Sequence, residues 1–394
     1  KRGGKRAGEK SKDGKDSKAR RLQGANGASV AGAAHNGAGP VVQGPLIQPL
    51  ASQASLILQL TASQGDTDAT YLESTRQANR GGTILLCKRA DGHVLWSDVV
   101  REDVVAIRGN HHMSVVATSD GILYFFSKCG RRLLPAVMLS CQVAHLEVVA
   151  APDKPMQTHV VVVTSDAVLR SWDASALQEN CNTSLASLVR DGSGVERVWF
   201  STAAVPVVEM SNGHSYAYHQ GMKVMMRIAD DHFQASSLSS LSSHRSQLVA
   251  LPNPAGPLSR AIQVATRTFK PQALPGIIAL DEEQQSQQTI AHAETCLASA
   301  MVLESPAEFK HWLSAYTKLL VQSAREGEST SGEARLRELC EFLLPPGGAD
   351  SRHESKILGC SRKMLLGEVM QVMRSNRALQ RLAAEFQLLA GHQA

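Results

Sequence analysis

Aromatic residues are scarce, 4% of the 394 residues. No window approaches the roughly 18 uninterrupted apolar residues that a membrane helix needs, which excludes a helical membrane span. The seven cysteines are odd in number and scattered, with no CxxC and no Cys-His pair at zinc spacing. That argues against a disulfide framework or a structural metal, and for buried free thiols in a reducing compartment. No hydrophobic leader opens the chain, which begins Lys1-Arg2-Gly3-Gly4-Lys5-Arg6 without an initiator Met. We therefore expect a piece of a longer protein that is not secreted. There is no Gly-rich phosphate loop after a strand, no GxSxG elbow, no HExxH and no recognisable carboxylate pair. His111 and His112 are expected on opposite sides of an extended backbone, unsuited to sharing a metal. No nucleophile–base pair assembles, so neither an enzyme nor a cofactor is expected.

Positive charge is present but unevenly placed. Residues 1–21 hold ten Lys/Arg against three acidic residues, a net +7, so the remainder carries −2 of the total +5. The folded part is nearly neutral, whereas a globular nucleic-acid reader usually wears its basic stripe on the fold. Residues 1–45 are Lys, Gly, Ala, Ser and Asn with almost no large apolar side chain, and are expected to be disordered. They suit a nuclear-import or acidic-partner signal and, equally, a solvated linker.

From about 46 to 270 short apolar or alternating runs are punctuated by turns. Thr83–Arg89 and His93–Trp96 flank Asp91-Gly92, a strong hairpin signal. A repeat underlies this texture. Val115–Phe126, Val161–Trp172 and Val207–Tyr218 each run as a strand, a Ser-Asp/Asn turn and a second strand, with Asp120, Asp166 and Asn212 spaced by 46. Propeller blades repeat every 40–50 residues or so, which makes these the inner hairpins of three blades. Leu56–Leu60, Ala69–Leu72 and the Asp91 hairpin supply a fourth. Closing a ring takes roughly four to eight blades. The pattern fits a small propeller, an incomplete one completed by preceding sequence, or a curved open array. A Ser/Pro-rich linker is expected at 229–260, followed by one more strand-like run at 261–265.

After Asp281 the period changes to 3.6. Ser305-Pro306-Ala307-Glu308 reads as a capping box with Pro at the first helical position. Phe309, Trp312, Leu313, Tyr316, Leu319 and Leu320 then line one stripe. Further helices are expected at about 287–303, 332–344, 361–374 and 376–390, making 281–394 a helical bundle.

Several blocks resemble the C-terminal domain of the HIRA/Hir histone chaperone family. Asp120-Gly121 through Cys129-Gly130-Arg131-Arg132-Leu133-Leu134-Pro135 is similar to that domain's strand followed by Cys-Gly-Arg-Arg-Leu-Leu-Pro-Pro. Ser171-Trp172-Asp173 is similar to its Ser-Val-Trp-Asp. Leu297–Leu313, Arg335–Cys340 and Asn376–Leu382 match its helices, and the similarity covers roughly residues 54–390 in order. The resemblance implies a fragment lacking the family's N-terminal WD-repeat propeller. It further implies a non-enzymatic nuclear scaffold that self-associates as a trimer, recruits a large helical partner subunit and handles histones indirectly. Its setting would be replication-independent nucleosome assembly and transcriptional repression. Arg20-Arg21-Leu22 partly matches the family's basic segment for the anti-silencing-function histone chaperone, without its Pro.

Trp172 and Asp173 are the residues marked here as a candidate oligomer interface. A Trp-Asp pair ending a blade's third strand ordinarily packs between blades. The outer strand expected next, Leu177–Asn182, is polar, however, which would leave the ring open as a contact anchor. A chromatin-associated nucleic-acid binder acting through the basic tail is the alternative function.

Overall fold

The computed structural model describes residues 45–60, 69–77, 81–151, 154–190, 192–233, 236–239, 256–268, 281–324, 330–344 and 356–392. The basic segment with Arg20, Arg21 and Leu22 lies outside them. Four antiparallel four-stranded meanders follow one another. Blade one is β1 (Ser55–Leu60), β2 (Thr70–Arg76), β3 (Thr83–Arg89) and β4 (Val94–Val100). Blade two is β5 (Val104–Gly109), β6 (Met113–Thr118), β7 (Ile122–Ser127) and β8 (Val137–Met138). Blade three is β9 (Val143–Ala151), β10 (Lys154–Thr164), β11 (Val168–Asp173) and β12 (Gln178–Ser184), followed by the single helical turn α1 (Ala186–Val189). Blade four is β13 (Val195–Phe200), β14 (Pro206–Met210), β15 (Ser215–His219) and β16 (Val224–Ala229).

The 46-residue repeat has a backbone cause. In blades two, three and four the turn between the second and third strands is closed by the same bond: Gly121 N–H to Thr118 O, Ala167 N–H to Thr164 O, and Gly213 N–H to Met210 O. The donor residue is left-handed in all three, at φ +75°, +61° and +86°. Glycine suits that conformation without steric cost, whereas Ala167 carries a Cβ there. The Asp91-Gly92 hairpin closes as expected, with the Asp91 carboxylate accepting from His93 N–H and Gly92 at φ +88°.

The first strands β1, β5, β9 and β13 lie side by side in chain order, so each blade shares an apolar core with the next. The four blades form an open array and do not close into a ring. Blades one and two are further tied by the turn after β7. Trp96 Nε1 donates to Lys128 O (3.1 Å), and Arg132 donates to Asp98 (2.8 Å) while lying 5.1 Å over the Tyr124 ring. Gly130, at φ +79°, passes so close to Trp96 that a Cβ would sit 2.6 Å from the ring. The Cys-Gly-Arg-Arg block is thus an inter-blade clasp.

Beyond β16 the described residues are mainly helical: α2 (Pro257–Thr268), α3 (Glu282–Val302), α4 (Pro306–Ser323), α5 (Thr330–Leu343), α6 (Arg362–Met373) and α7 (Gln380–His392). The small hairpin β17 (Lys356–Ile357) and β18 (Cys360–Ser361) precedes α6. One core runs from Trp199, Val207 and Ile228 of blade four through α2 to α7. The stripe Phe309, Trp312, Leu313, Tyr316 and Leu320 is buried in it, with Leu319 half-buried at its margin.

Three expectations are corrected. The strand-like run at 261–265 belongs to α2. Its β-branched residues mislead, because Leu258, Ala261 and Ala265 bury one helical face against blade four and α3. The linker at 229–260 is partly packed structure, since Ser236 is fully buried and its Oγ lies 3.0 Å from His292 Nδ1. Ser305 does cap α4 by position, but neither half of the capping box forms. Glu308, 1% exposed, instead accepts from Leu258 N–H, Ser259 N–H and Ser259 Oγ at 2.7–3.0 Å. A carboxylate from α4 therefore satisfies the free amides of the first turn of α2.

Candidate functional site

Trp172 and Asp173 end β11, and the strand positions them through two ladders. Trp172 faces Val160 on β10 and Glu179 on β12, where the register slips by one residue. The polar outer strand does form, and the half-buried ring packs against the apolar core between blades two and three, as do Leu133, Leu134 and Ala174.

Asp173 is buried and fully engaged. One carboxylate oxygen accepts from Ser175 N–H (2.9 Å) and Ala176 N–H (3.1 Å); the other accepts from Gln157 Nε2 (2.6 Å). Burial alone pushes this carboxyl up, but the Ala176 N–H, the Gln157 amide and the Ser175 N–H together hold it below the usual carboxylate range. Asp173 is ionised and committed to the β11–β12 turn. Ser175 carries the connection on, accepting from Thr158 N–H and donating to Met156 O.

The adjoining loop of blade two reaches the same region. Asn110 Nδ2 donates to Thr158 Oγ1 (3.1 Å) across the blades, while its Oδ1 accepts from His112 N–H and Met113 N–H. That bend overturns the expectation that His111 and His112 diverge: their ring centroids are 3.6 Å apart, because the pair sits in a turn and not on a strand. Even so, no group of three or more His, Cys, Asp or Glu at metal-ligating distance occurs among the described residues. Around this polar network stand Met156 and Leu177, both largely solvent-exposed, the latter at φ +55° in the β11–β12 turn.

Sequence reasoning missed His159. It faces Asp173 across the β10–β11 ladder and lies 5.9 Å from the Phe200 ring. Burial lowers its pKa, with Asp173 opposing, so the imidazole is neutral at neutral pH. A lone His at the head of the Val160–Val163 run carries no periodic signal that could have found it. The cysteines offer no nucleophile in the core. Burial pushes Cys87 up to about 11, against a small opposing effect of Trp96, and Cys181 and Cys340 up to about 12.

What these elements can do is hold a stiff, polar-rimmed surface across two blades, with two exposed aliphatic side chains on it. A family model described as Hira, TUP1-like enhancer of split, matches residues 130–343, more than half of the chain. The chain belongs to the HIRA family. The match starts in the blade-two clasp and ends with α5, so the family's signature covers blades and bundle together. Protein HIRA of Takifugu rubripes is 34% identical to this HIRA-family chain over 311 residues, covering 77% of this chain and 28% of the relative. Protein HIRA of Oryza sativa is 32% identical over 327 residues, covering 77% and 31%. The chain thus spans less than a third of the length of these relatives. A crystal structure of HIRA(644-1017) has the same fold, with a TM-score of 0.64 at 24% identity over 89% of this chain and 98% of that one.

Proposed function

We propose that this chain is a non-enzymatic, self-associating scaffold of a nuclear histone-chaperone complex. It acts in replication-independent nucleosome assembly and transcriptional repression. The observation that carries the reading is the family match over residues 130–343, from blade two to α5. A single apolar core continuous from blade four into the bundle supports it, since a scaffold must hold separate docking faces in fixed relation. The chain forms a trimer through the face around Trp172 and Asp173, and the trimer recruits a large helical partner subunit. Histones are handled indirectly, and the basic segment with Arg20, Arg21 and Leu22 engages the anti-silencing-function histone chaperone.

The test is the mass of the chain in solution by light scattering, with and without Trp172→Ala plus Asp173→Asn. Asn keeps the oxygen that accepts from Ser175 and Ala176, so the turn survives. The expected result is three chains for the wild type and a folded monomer for the variant. A concentration-independent monomer for the wild type overturns the reading. The tail-driven nucleic-acid alternative gives binding that collapses between low and physiological salt, because counterion release scales with the phosphates neutralised.

A further inference from the structure

A second feature borders His159 on the side of blade four. A cavity of about 480 Å³ lies where β12, the two turns of blade four at 203–206 and 218–221, and the C-terminal end of α3 meet. That volume is within the roughly 300–1,000 Å³ usual for sites that enclose a ligand or an inserted side chain. Its lining divides into two chemistries. Val205, Pro206, Met301 and Val302 form an apolar wall, while Asn180, Tyr218, Gln220, His159 and Glu304 bring oxygen and nitrogen acceptors. No Lys or Arg is among the lining residues.

Two of these groups are held at a local cost. His159 is 5% exposed, and its Nδ1 has no hydrogen-bond partner, so a buried polar atom at the cavity is unsatisfied. Glu304 follows the C-cap of α3 at φ +51°, a position where glycine is the usual residue. It lies between the C-terminal end of α3 and Ser305 at the start of α4, so the two helix ends act on its carboxylate in opposite senses. A cation drawn to the cavity would pair with the Glu304 carboxylate, and the neutral imidazole and the amide oxygens would accept its N–H groups.

We propose that this cavity receives a lysine or arginine side chain from an extended basic segment of another protein. The aliphatic stem lies along Val205, Pro206 and Met301, and the charged head reaches Glu304 and Asn180. Charge complementarity sets the occupant, since the lining offers a carboxylate and neutral acceptors and contains no Lys or Arg.

The experiment is fluorescence anisotropy of a labelled octalysine peptide with the intact chain at physiological salt, with octaglutamate as control. Residues 1–21 carry +7 and the remainder −2, so the substitutions on the folded part, with octaglutamate, separate binding in the cavity from capture by overall charge. Saturable octalysine binding is expected, weakened about tenfold by Glu304→Gln, less by Asn180→Ala, and not at all by Glu341→Gln on the exposed face of α5. The melting temperature and the light-scattering mass of each variant are read on the same samples. Should Glu304→Gln fail to fold, Asn180→Ala carries the test alone. Equal affinity for wild type and Glu304→Gln, no binding, or equal binding of octaglutamate overturns the proposal. So does a fall in mass on Glu304→Gln, which would assign the cavity to self-association. An affinity that rises when Lys15, Lys18, Arg20 and Arg21 become Gln overturns it in favour of the chain's own segment.

Discussion

Blade one and blade four are the same meander at opposite ends of the array, and they differ in what lies against their outer faces. Blade four is covered on both. Val198, Val208 and Tyr218 pack toward blade three, while Trp199, Val207 and Ala217 pack under the helices. The covering contact includes charge. Trp199 Nε1 donates to the buried Glu209 (2.6 Å), and the Arg260 guanidinium of α2 lies 4.4 Å over the Trp199 ring and 3.8 Å from Glu209. Among the described residues blade one is covered on one face only. Leu72, Leu85 and Cys87 pack toward blade two, whereas Ile57 on β1 is 69% exposed and Leu95 and Val99 on β4, at the opposite edge, are exposed too. On that outer side Lys88 pairs with Glu73 at 2.6 Å. The lesson is that burial of a blade is a property of its neighbours, since the strand geometry is the same in both.

Five substitutions or conditions sharpen or break this contrast. The largest effect is expected from Trp312→Ala, 2% exposed beneath blade four in the common core, at about 3–5 kcal/mol by urea unfolding. A cost under about 1 kcal/mol would mean that the bundle does not depend on this ring.

Next comes acid. His292 stacks on Phe233 at 5.0 Å, and burial, slightly opposed by Asp230, lowers its pKa to about 4. A folded pKa below the unfolded value of roughly 6.5 means that the unfolded chain binds the extra proton first, so stability falls as pH drops from 6.5 to 4. The loss should approach about 3 kcal/mol and should be largely absent in His292→Gln. A pH profile that Gln leaves unchanged assigns the acid sensitivity to other groups.

Glu308→Gln should cost about 2 kcal/mol, because a buried carboxylate with three donors is replaced by a neutral amide. Amide exchange should quicken in 257–268 and not in blade one. Gly130→Ala should cost about 1–2 kcal/mol, through the left-handed backbone and the Trp96 contact, with exchange quickening in 83–100. If either substitution loosens the opposite end as much as its own, the two ends unfold as one unit and the contrast fails. The smallest effect is expected from Val99→Ala, within about 0.5 kcal/mol. A cost above about 2 kcal/mol would show the outer face of blade one to be covered in solution.

Little of this difference is visible before folding. Leu56-Ile57-Leu58-Gln59-Leu60 is as nearly continuously apolar as Val198-Trp199-Phe200 and Pro206–Met210, and only its burial alternates. The 46-residue spacing and the stripe from Phe309 to Leu320 were legible because each is a periodic demand made by local geometry. Glu308 was not, although its place in Ser-x-x-Glu was recognised. Its three donors come from residues 49 and 50 positions away. The strand-like run in α2 misled because short β-branched segments suit either element until a neighbour offers a surface.

Chain chemistry alone therefore determined the repeating meander, its turns and the change to helix after Asp281, since hydrogen bonding and side-chain alternation act over a few residues. Tertiary structure alone decided that the blades stay open, that α2 and α3 cover the last of them, and that Asp173 is spent on its own turn. It also decided that His159, Asn180 and Glu304 meet around one cavity. Those outcomes depend on which surfaces come together across tens of residues, and no spacing along the chain records a contact whose partners are set by packing.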